Sequence, residues 1–126
     1  MSESTPARDW RFYVEDMLGF CDKALAYTKG LDKAGFSADE MRYDATLRNL
    51  ELIGEAATRV PADVRSRWPG VPWRTIIAVR NRLIHGYLGI DDDTIWSIVR
   101  DDLAPLRSAL VALLVASQSD VKEPRS

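Results

Sequence analysis

The sequence predicts an all-α fold, an up-and-down bundle of four or five helices. Apolar residues recur at mixed three- and four-residue steps through the middle of the chain, which places them on one face of a helix. No window alternates apolar and polar residues between turn signals, as a half-buried strand does. With 126 residues, 46% of them hydrophobic, the chain has the size and composition of one domain. We expect a helical domain over residues 9–117, a disordered segment at 1–8 and a flexible tail at 118–126.

The first two helices are predicted from apolar spacing and from the residues that bound it. The first helix covers residues 9–29 and ends at Gly30. The second begins at the segment from Ser37 to Glu40, whose sequence SADE matches a capping box, and it ends before Pro61. It carries two apolar stripes, and a helix that is apolar on two sides is buried on two sides. In so short a chain, we expect the second face to meet another copy of the protein.

Pro72 and Gly86 bound the third long helix. Proline suits the start of a helix, and glycine suits a left-handed cap at its end. Prolines and glycine in residues 61–70 leave room only for a short helical turn before it.

The last helix follows three consecutive aspartates, Asp91 to Asp93. They supply an N-cap and favourable charge for the first turn. As a Mg²⁺ site they are less suitable, because consecutive side chains point in different directions, and we predict no metal site. The helix extends over residues 95–117, and Pro105 is expected to kink or split it.

Cysteine content, hydropathy and motifs exclude several classes of protein. Cys21 is the single cysteine, so the chain forms neither an intrachain disulfide nor a cysteine-rich metal site. No stretch approaches the roughly 20 apolar residues of a membrane span, and the first residues lack the pattern of a signal peptide. Glycine-rich phosphate loops and the HExxH and GxSxG motifs are missing. We expect a cytoplasmic protein with no cofactor and no contact with membranes.

Positive charge is concentrated in one segment. The chain has a formal net charge of −2, yet residues 59–87 contain six arginines and one acid. Arginine presents a planar fork of donors that fits phosphate oxygens two at a time. We interpret the segment as a site for a polyanion, with nucleic acid as the candidate; a general bias toward arginine over lysine is the alternative. The six arginines are Arg59, Arg65, Arg67, Arg74, Arg80 and Arg82.

Arg80 stands at the centre of the apolar stripe of the third helix. On a wheel of about 100° per residue, its neighbours in that sector are Ile76, Ile77, Leu83, Ile84 and Tyr87. An arginine in such a place is costly unless it is paired or lines a cleft. Arg80 therefore either pairs with a carboxylate on a neighbouring helix, such as Glu51 or Glu55, or serves a functional cleft.

A narrow polar strip made of Arg74, Asn81 and His85 flanks the apolar stripe. His85 is the single histidine of the chain, and histidine gives and takes protons near neutral pH. Arginine and histidine without metal ligands form a suitable set for cutting RNA, because the RNA supplies its own 2′-hydroxyl nucleophile. Histidine then moves a proton, and arginine stabilises charge on the phosphorane. A histidine with no catalytic role is the alternative.

The segment RNRLIHGYLGID, from Arg80 to Asp91, resembles the RX4HXY motif of HepT-like proteins in the HEPN superfamily. Arg80, His85 and Tyr87 reproduce its spacing, and Asn81 is the polar residue that typically follows the arginine. The upstream segments LRNLELIGEAATRVP and WPGVPWRTI are also similar to the family. The likeness extends over residues 9–115, almost the whole chain.

This resemblance implies a HEPN-like homodimer in which the motifs of two subunits meet across a cleft and form a metal-independent endoribonuclease. It assigns catalytic roles to Arg80, Asn81 and His85. Arg74 and Arg82 are expected to grip the flanking phosphates of the RNA.

The family also implies a partner and a modification. HepT-like proteins are toxins of type VII toxin–antitoxin pairs, and their MntA-like nucleotidyltransferase partner transfers AMP from ATP to the motif tyrosine, Tyr87 here. A larger hetero-oligomer is then expected. Two alternatives remain open: a noncatalytic helical module that binds nucleotide or presents substrate to a nucleotidyltransferase, and a dimeric scaffold in which Arg80 makes a structural ion pair.

Overall fold

A computed structural model describes residues 9–86 and 90–122. Every regular element in these ranges is helical, which confirms the all-α prediction. None of the described helices is both long enough and apolar enough to cross a membrane. In chain order the elements are α1 (Trp10–Thr28), α2 (Lys33–Ala38), α3 (Glu40–Thr58), α4 (Ala62–Arg67), α5 (Trp73–His85), α6 (Asp92–Ser97), a π-helical turn (Ile98–Asp102) and α7 (Leu103–Lys122).

The helix α3 begins two residues later than predicted. Lys33–Ala38 form a short helix of their own, so Ser37 lies inside a helix and does not cap one. The chain becomes extended at Asp39, whose carboxylate accepts a 3.1 Å hydrogen bond from the backbone N–H of Arg42. Aspartate and serine are both good N-caps. The pattern SADE thus offers two candidates, and the turn formed by α2 decides for Asp39.

The helix α3 lies at the centre of the fold. One of its faces packs on α1 and another on α5, so the second apolar face is covered within the chain. The expectation that this face meets another copy is therefore corrected: α5 takes that place. The helix α7 packs on the other side of α1 and completes the core. The largest fully buried side chains are those of Met17, Phe36, Ile95, Leu103, Leu110 and Leu113.

The bounds of α5 agree with the prediction to within one residue. Pro72 is its N-cap, and Trp73 is the first helical residue. Gly86 has φ +53°, a conformation that glycine adopts without the steric cost of a Cβ, and its backbone N–H donates to the carbonyl of Arg82 at 3.2 Å. The exact end of α5 follows from this cap.

The last helical segment changes its form before Pro105. Proline lacks the N–H that an α-helix needs, and its ring collides with the carbonyl four residues earlier, that of Asp101. The preceding residues Ile98–Asp102 form the π-helical turn, so the predicted break lies on the N-terminal side of the proline. Beyond it, α7 extends to Lys122, past the predicted end at Ser117. The flexible tail and the disordered first residues stay predictions.

Candidate functional site

The site is built where α5 crosses α3 at Gly54. A Cβ at position 54 would lie 2.2 Å from the Cβ of Arg80 and 3.1 Å from the carbonyl oxygen of Ile76. No real side chain tolerates such contacts. Glycine therefore allows the two helices to approach closely and places the stem of Arg80 directly on the backbone of α3.

Glu55, the next residue of α3, binds the guanidinium of Arg80. Its Oε1 accepts a hydrogen bond from Nε at 3.1 Å and one from Nη2 at 2.6 Å. Arg59, one turn further along α3, lies 3.6 Å from the other carboxylate oxygen. The hydrogen bonds from Arg80, together with the charges of Arg80 and Arg59, hold the pKa of Glu55 below its ordinary value. Of the two carboxylates expected as partners of Arg80, the structure selects Glu55; Glu51 pairs with Arg48 instead.

Asn81 extends this network on the opposite edge of the guanidinium. Its Oδ1 accepts a 2.9 Å hydrogen bond from Nη1 of Arg80. A guanidinium carries five N–H donors, and three of them are used in these bonds. The side chain of Arg80 remains 25% exposed, so part of it is open to solvent. Two parallel N–H groups are what a phosphate or carboxylate binds best.

His85 is the last residue of α5 and is exposed to solvent. It follows Asn81 by four residues and Arg74 by eleven, so the three side chains share one face of α5, as predicted. Arg80 lies about 140° from His85 around a regular helix. In one chain, therefore, Arg80 faces α3 while His85 lies on the neighbouring, solvent-facing strip.

Arg82 is exposed and faces the start of α6. The pKa of Asp91 lies below its ordinary value because its carboxylate accepts hydrogen bonds from Thr94, and the nearby charge of Arg82 contributes in the same direction. Arg82 and Arg74 thus lie in different surroundings. Tyr87, the predicted site of modification, lies outside the described residues.

The three aspartates at the start of α6 point to three separate partners. Asp91 accepts from a backbone N–H at 2.8 Å and caps the helix, as predicted. Burial and the hydrogen bond that Tyr43 donates to Asp92 raise the pKa of this tyrosine to about 12. Asp93 forms a 2.7 Å ion pair with Lys33. Residues 9–86 and 90–122 contain no group of three or more His, Cys, Asp or Glu side chains that is arranged to hold a metal ion.

An open groove lies between α4 and the first three turns of α5. It has a volume of about 790 Å³, and its lining includes Arg74 and Asn81 together with Arg65 of α4. The sequence pattern grouped Arg65 with the other arginines of the segment but gave it no individual role. Its position in the groove follows from the tertiary fold, and so does the role of Gly54, for which a glycine inside an apolar helix was the one available signal.

Comparisons with known proteins identify the family of this chain. The family model described as "Ribonuclease HepT-like" matches residues 17–113, which include Gly54, Glu55, Arg80 and His85. "Putative RNase MJ1380" of Methanocaldococcus jannaschii is 36% identical over 100 residues, which cover 79% of this chain and 92% of that protein. "Probable ribonuclease HepT" of Thermococcus cleftensis is 32% identical over 79% of this chain and 91% of its own length. "Putative RNase TTE0752" of Caldanaerobacter subterraneus is 32% identical over 82% of this chain and 93% of its own length. No solved structure matches the chain at a significant level.

Proposed function

This chain belongs to the HepT-like ribonuclease family, and on that premise we propose that it is a metal-independent endoribonuclease and the toxin of a type VII toxin–antitoxin pair. The observation that carries the proposal is the arrangement on α5. Arg80 is held by Glu55 and Asn81, its side chain stays 25% exposed, and His85 is exposed one turn beyond Asn81. This combination supplies a fixed positive charge and a proton carrier at one edge of the molecule.

The proposed reaction uses the 2′-hydroxyl of the RNA as its nucleophile. The 2′-oxygen attacks the adjacent phosphorus, a bond forms between them, and the bond from phosphorus to the 5′-oxygen breaks. His85 either takes the proton from the 2′-hydroxyl or gives one to the departing 5′-oxygen. The guanidinium of Arg80 stabilises the negative charge on the phosphorane oxygens, where preorganised donors act most strongly. Asn81 keeps the guanidinium in orientation.

We propose that two copies of the chain complete the site. Arg80 and His85 lie on different faces of α5, so the geometry favours an arrangement in which the motif of a second subunit faces the first across a cleft. A two-fold axis places both pairs of residues beside one RNA strand. The homodimer is part of this proposal.

Regulation by modification of Tyr87 is the third part of the proposal. Tyr87 follows His85 by two residues in the sequence. Transfer of AMP from ATP to its hydroxyl, with release of pyrophosphate, adds a negative charge and a bulky nucleoside close in sequence to His85. Both repel or block an RNA strand. An MntA-like nucleotidyltransferase is the proposed partner, in a larger hetero-oligomer.

The test compares the wild-type protein with His85→Ala on total cellular RNA in the presence of EDTA. Because His85 is exposed, the substitution is expected to leave stability within about 0.5 kcal/mol. We expect wild-type protein to cut RNA and His85→Ala to leave it intact. Equal cleavage by both proteins, with both folded, would refute the proposed role of His85. If neither protein cuts, an intact mass distinguishes a preparation that already carries AMP from an inactive one.

A structural role of Arg80 is the second candidate, and the observed ion pair with Glu55 favours it specifically. Arg80→Lys distinguishes the two. Lysine retains the charge but not the planar fork, so a catalytic role predicts a large loss of cleavage with little loss of stability. A scaffold predicts the reverse for Arg80→Ala, a loss of stability comparable to deletion of a core side chain with no cleavage to lose.

A further inference from the structure

The groove between α4 and α5 has the chemistry of an anion site. Arg65 and Arg74 line it, as do the hydroxyl groups of Ser66 and Thr75. No acidic residue belongs to its lining, although the chain has more acidic than basic residues overall. The groove is open to solvent, so a ligand is able to enter it.

Within the described residues, neither arginine of the groove has a carboxylate partner. The side chains of seven other arginines form ion pairs. The Nε of Arg65 is moreover buried without any hydrogen-bond partner. A buried N–H that has lost its water and gained no acceptor costs free energy. An oxygen-rich anion bound in the groove would supply the negative charge that is missing beside both arginines.

The groove is continuous with the catalytic residues of the proposed function. Arg74 and Asn81 are seven residues apart on α5, so they lie on the same face, separated by about 10 Å along the helix axis. Asn81 lines the groove and also accepts a hydrogen bond from Arg80. His85 follows one turn further on the same face. A strand bound in the groove is therefore directed toward Arg80 and His85.

We propose that this groove binds the sugar-phosphate backbone of the RNA on one side of the bond that is cut, with Arg65 and Arg74 each paired to a phosphate. The identity of the ligand rests on the proposed function. Contacts of arginine and hydroxyl groups with phosphates fix position and register but do not read bases. Arg65 is thus a binding residue for the substrate strand, and the groove extends recognition beyond the scissile phosphate without sequence preference.

The test measures binding of full-length protein to a fluorescent 2′-O-methyl oligonucleotide, which cannot be cut because it has no free 2′-hydroxyl. Arg65→Ala is compared with Arg67→Ala, a matched control on the same helix. Arg67 has no carboxylate partner within the described residues either, and it does not line the groove. We expect Arg65→Ala to weaken binding about tenfold for oligonucleotides of every sequence and to lower the slope of log affinity against log salt by about 1. Arg67→Ala is expected to change the affinity less than twofold.

Equal affinities of Arg65→Ala and Arg67→Ala, or no binding by wild-type protein, would overturn the inference. If Arg65→Ala fails to fold by circular dichroism, Arg74→Ala takes its place, because Arg74 is exposed. Failure of the proposed function is distinguishable: a wild-type protein that does not cut RNA, but whose binding depends on Arg65, retains the groove and loses the ribonuclease.

Discussion

Arg80 combines a structural task with a functional one. Its stem lies on the backbone of α3 at Gly54, and its charge is compensated by Glu55. An unpaired arginine in an apolar stripe loses its hydration and gains no partner in exchange. Arg80 is paired with Glu55 at 2.6 Å, so its guanidinium keeps a fixed orientation. The same ion pair that permits burial of the stem holds the guanidinium for a ligand.

Glu55→Gln is expected to show what the charge of this pair contributes. The pKa of Glu55 is lowered from 4.5 in the folded protein, so the carboxylate stabilises the fold above about pH 4.5, and this contribution is lost as the pH falls through the folded pKa. The side chains of Glu55 and Arg80 are partly exposed, so we expect the substitution to lower the free energy of unfolding by about 1 kcal/mol or less at pH 7. Below pH 4.5 the difference between the variant and the wild type is expected to become smaller. Urea unfolding at pH 7 and pH 3.5 measures it. An equal loss of unfolding free energy at both pH values would mean that the shape of the Glu55 side chain, and not its charge, stabilises the protein.

Much of the site follows from the sequence at this scale. The position of Arg80 in an apolar stripe predicts a carboxylate partner for its charge, and Glu55 is one of the two carboxylates expected there. The strip of Arg74, Asn81 and His85 follows from helical periodicity alone. Gly54 and Arg65 are different, because their roles depend on which helix crosses above them, and periodicity within one helix carries no such information.

At the scale of elements, the contact between α3 and α5 depends on the absence of a side chain at position 54. Gly54→Ala is expected to destabilise the protein by about 1–3 kcal/mol, because the new methyl group overlaps the stem of Arg80. Gly19→Ala is the matched control: Gly19 lies inside α1 with nothing within 4 Å of a Cβ, and alanine there is expected to stabilise the helix by about 0.5–1 kcal/mol. Chemical denaturation measures both. Stabilisation by both substitutions would contradict the close approach of the helices.

The start of α6 offers a second test of an element. The carboxylate of Asp91 accepts from the backbone N–H of Thr94 at 2.8 Å. We expect Asp91→Ala to cost about 1 kcal/mol in thermal or urea unfolding, and Asp91→Asn to cost only a few tenths, because asparagine is an equally good N-cap. Equal losses in the two variants would show that the charge of Asp91, and not its hydrogen bond, stabilises the helix.

The long helices α1, α3, α5 and α7 were predictable, whereas the short helix α2 and several boundaries were not. Gly86 fixes one end of α5 through backbone geometry that few residues other than glycine adopt, so its position is readable in the sequence. Two neighbouring capping residues, Ser37 and Asp39, are chemically equivalent, and tertiary packing decides between them. Pro105 predicts a break in the last helix. The form of that break, a π-helical turn, depends on the core that α6 and α7 share.

At the scale of the whole molecule, the proposed site draws residues from two copies of the chain. Arg80→Ala and His85→Ala are each expected to be inactive alone, and mixed after unfolding and refolding together they are expected to recover part of the cleavage. Recovery occurs because a mixed dimer contains one site with an intact arginine from one copy and an intact histidine from the other. Sedimentation velocity checks that all samples are dimers. Mixed dimers without activity would place each complete set of residues within one subunit.

The π-helical turn at Ile98–Asp102 also bears on how this chain tolerates insertions and deletions. A π-helical turn contains one residue more than an α-helical turn. The helices on either side of Ile98–Asp102 each keep the orientation of their buried face. Deletion of one exposed residue there, such as Arg100, is expected to shorten the wide turn and leave the register of α7 unchanged. Deletion of one residue later in α7 would instead rotate every following side chain by about 100° and turn Leu110 and Leu113 away from the core. A one-residue deletion is therefore expected to be tolerated in the π-helical turn and to disrupt the core when it lies a few residues later, in α7.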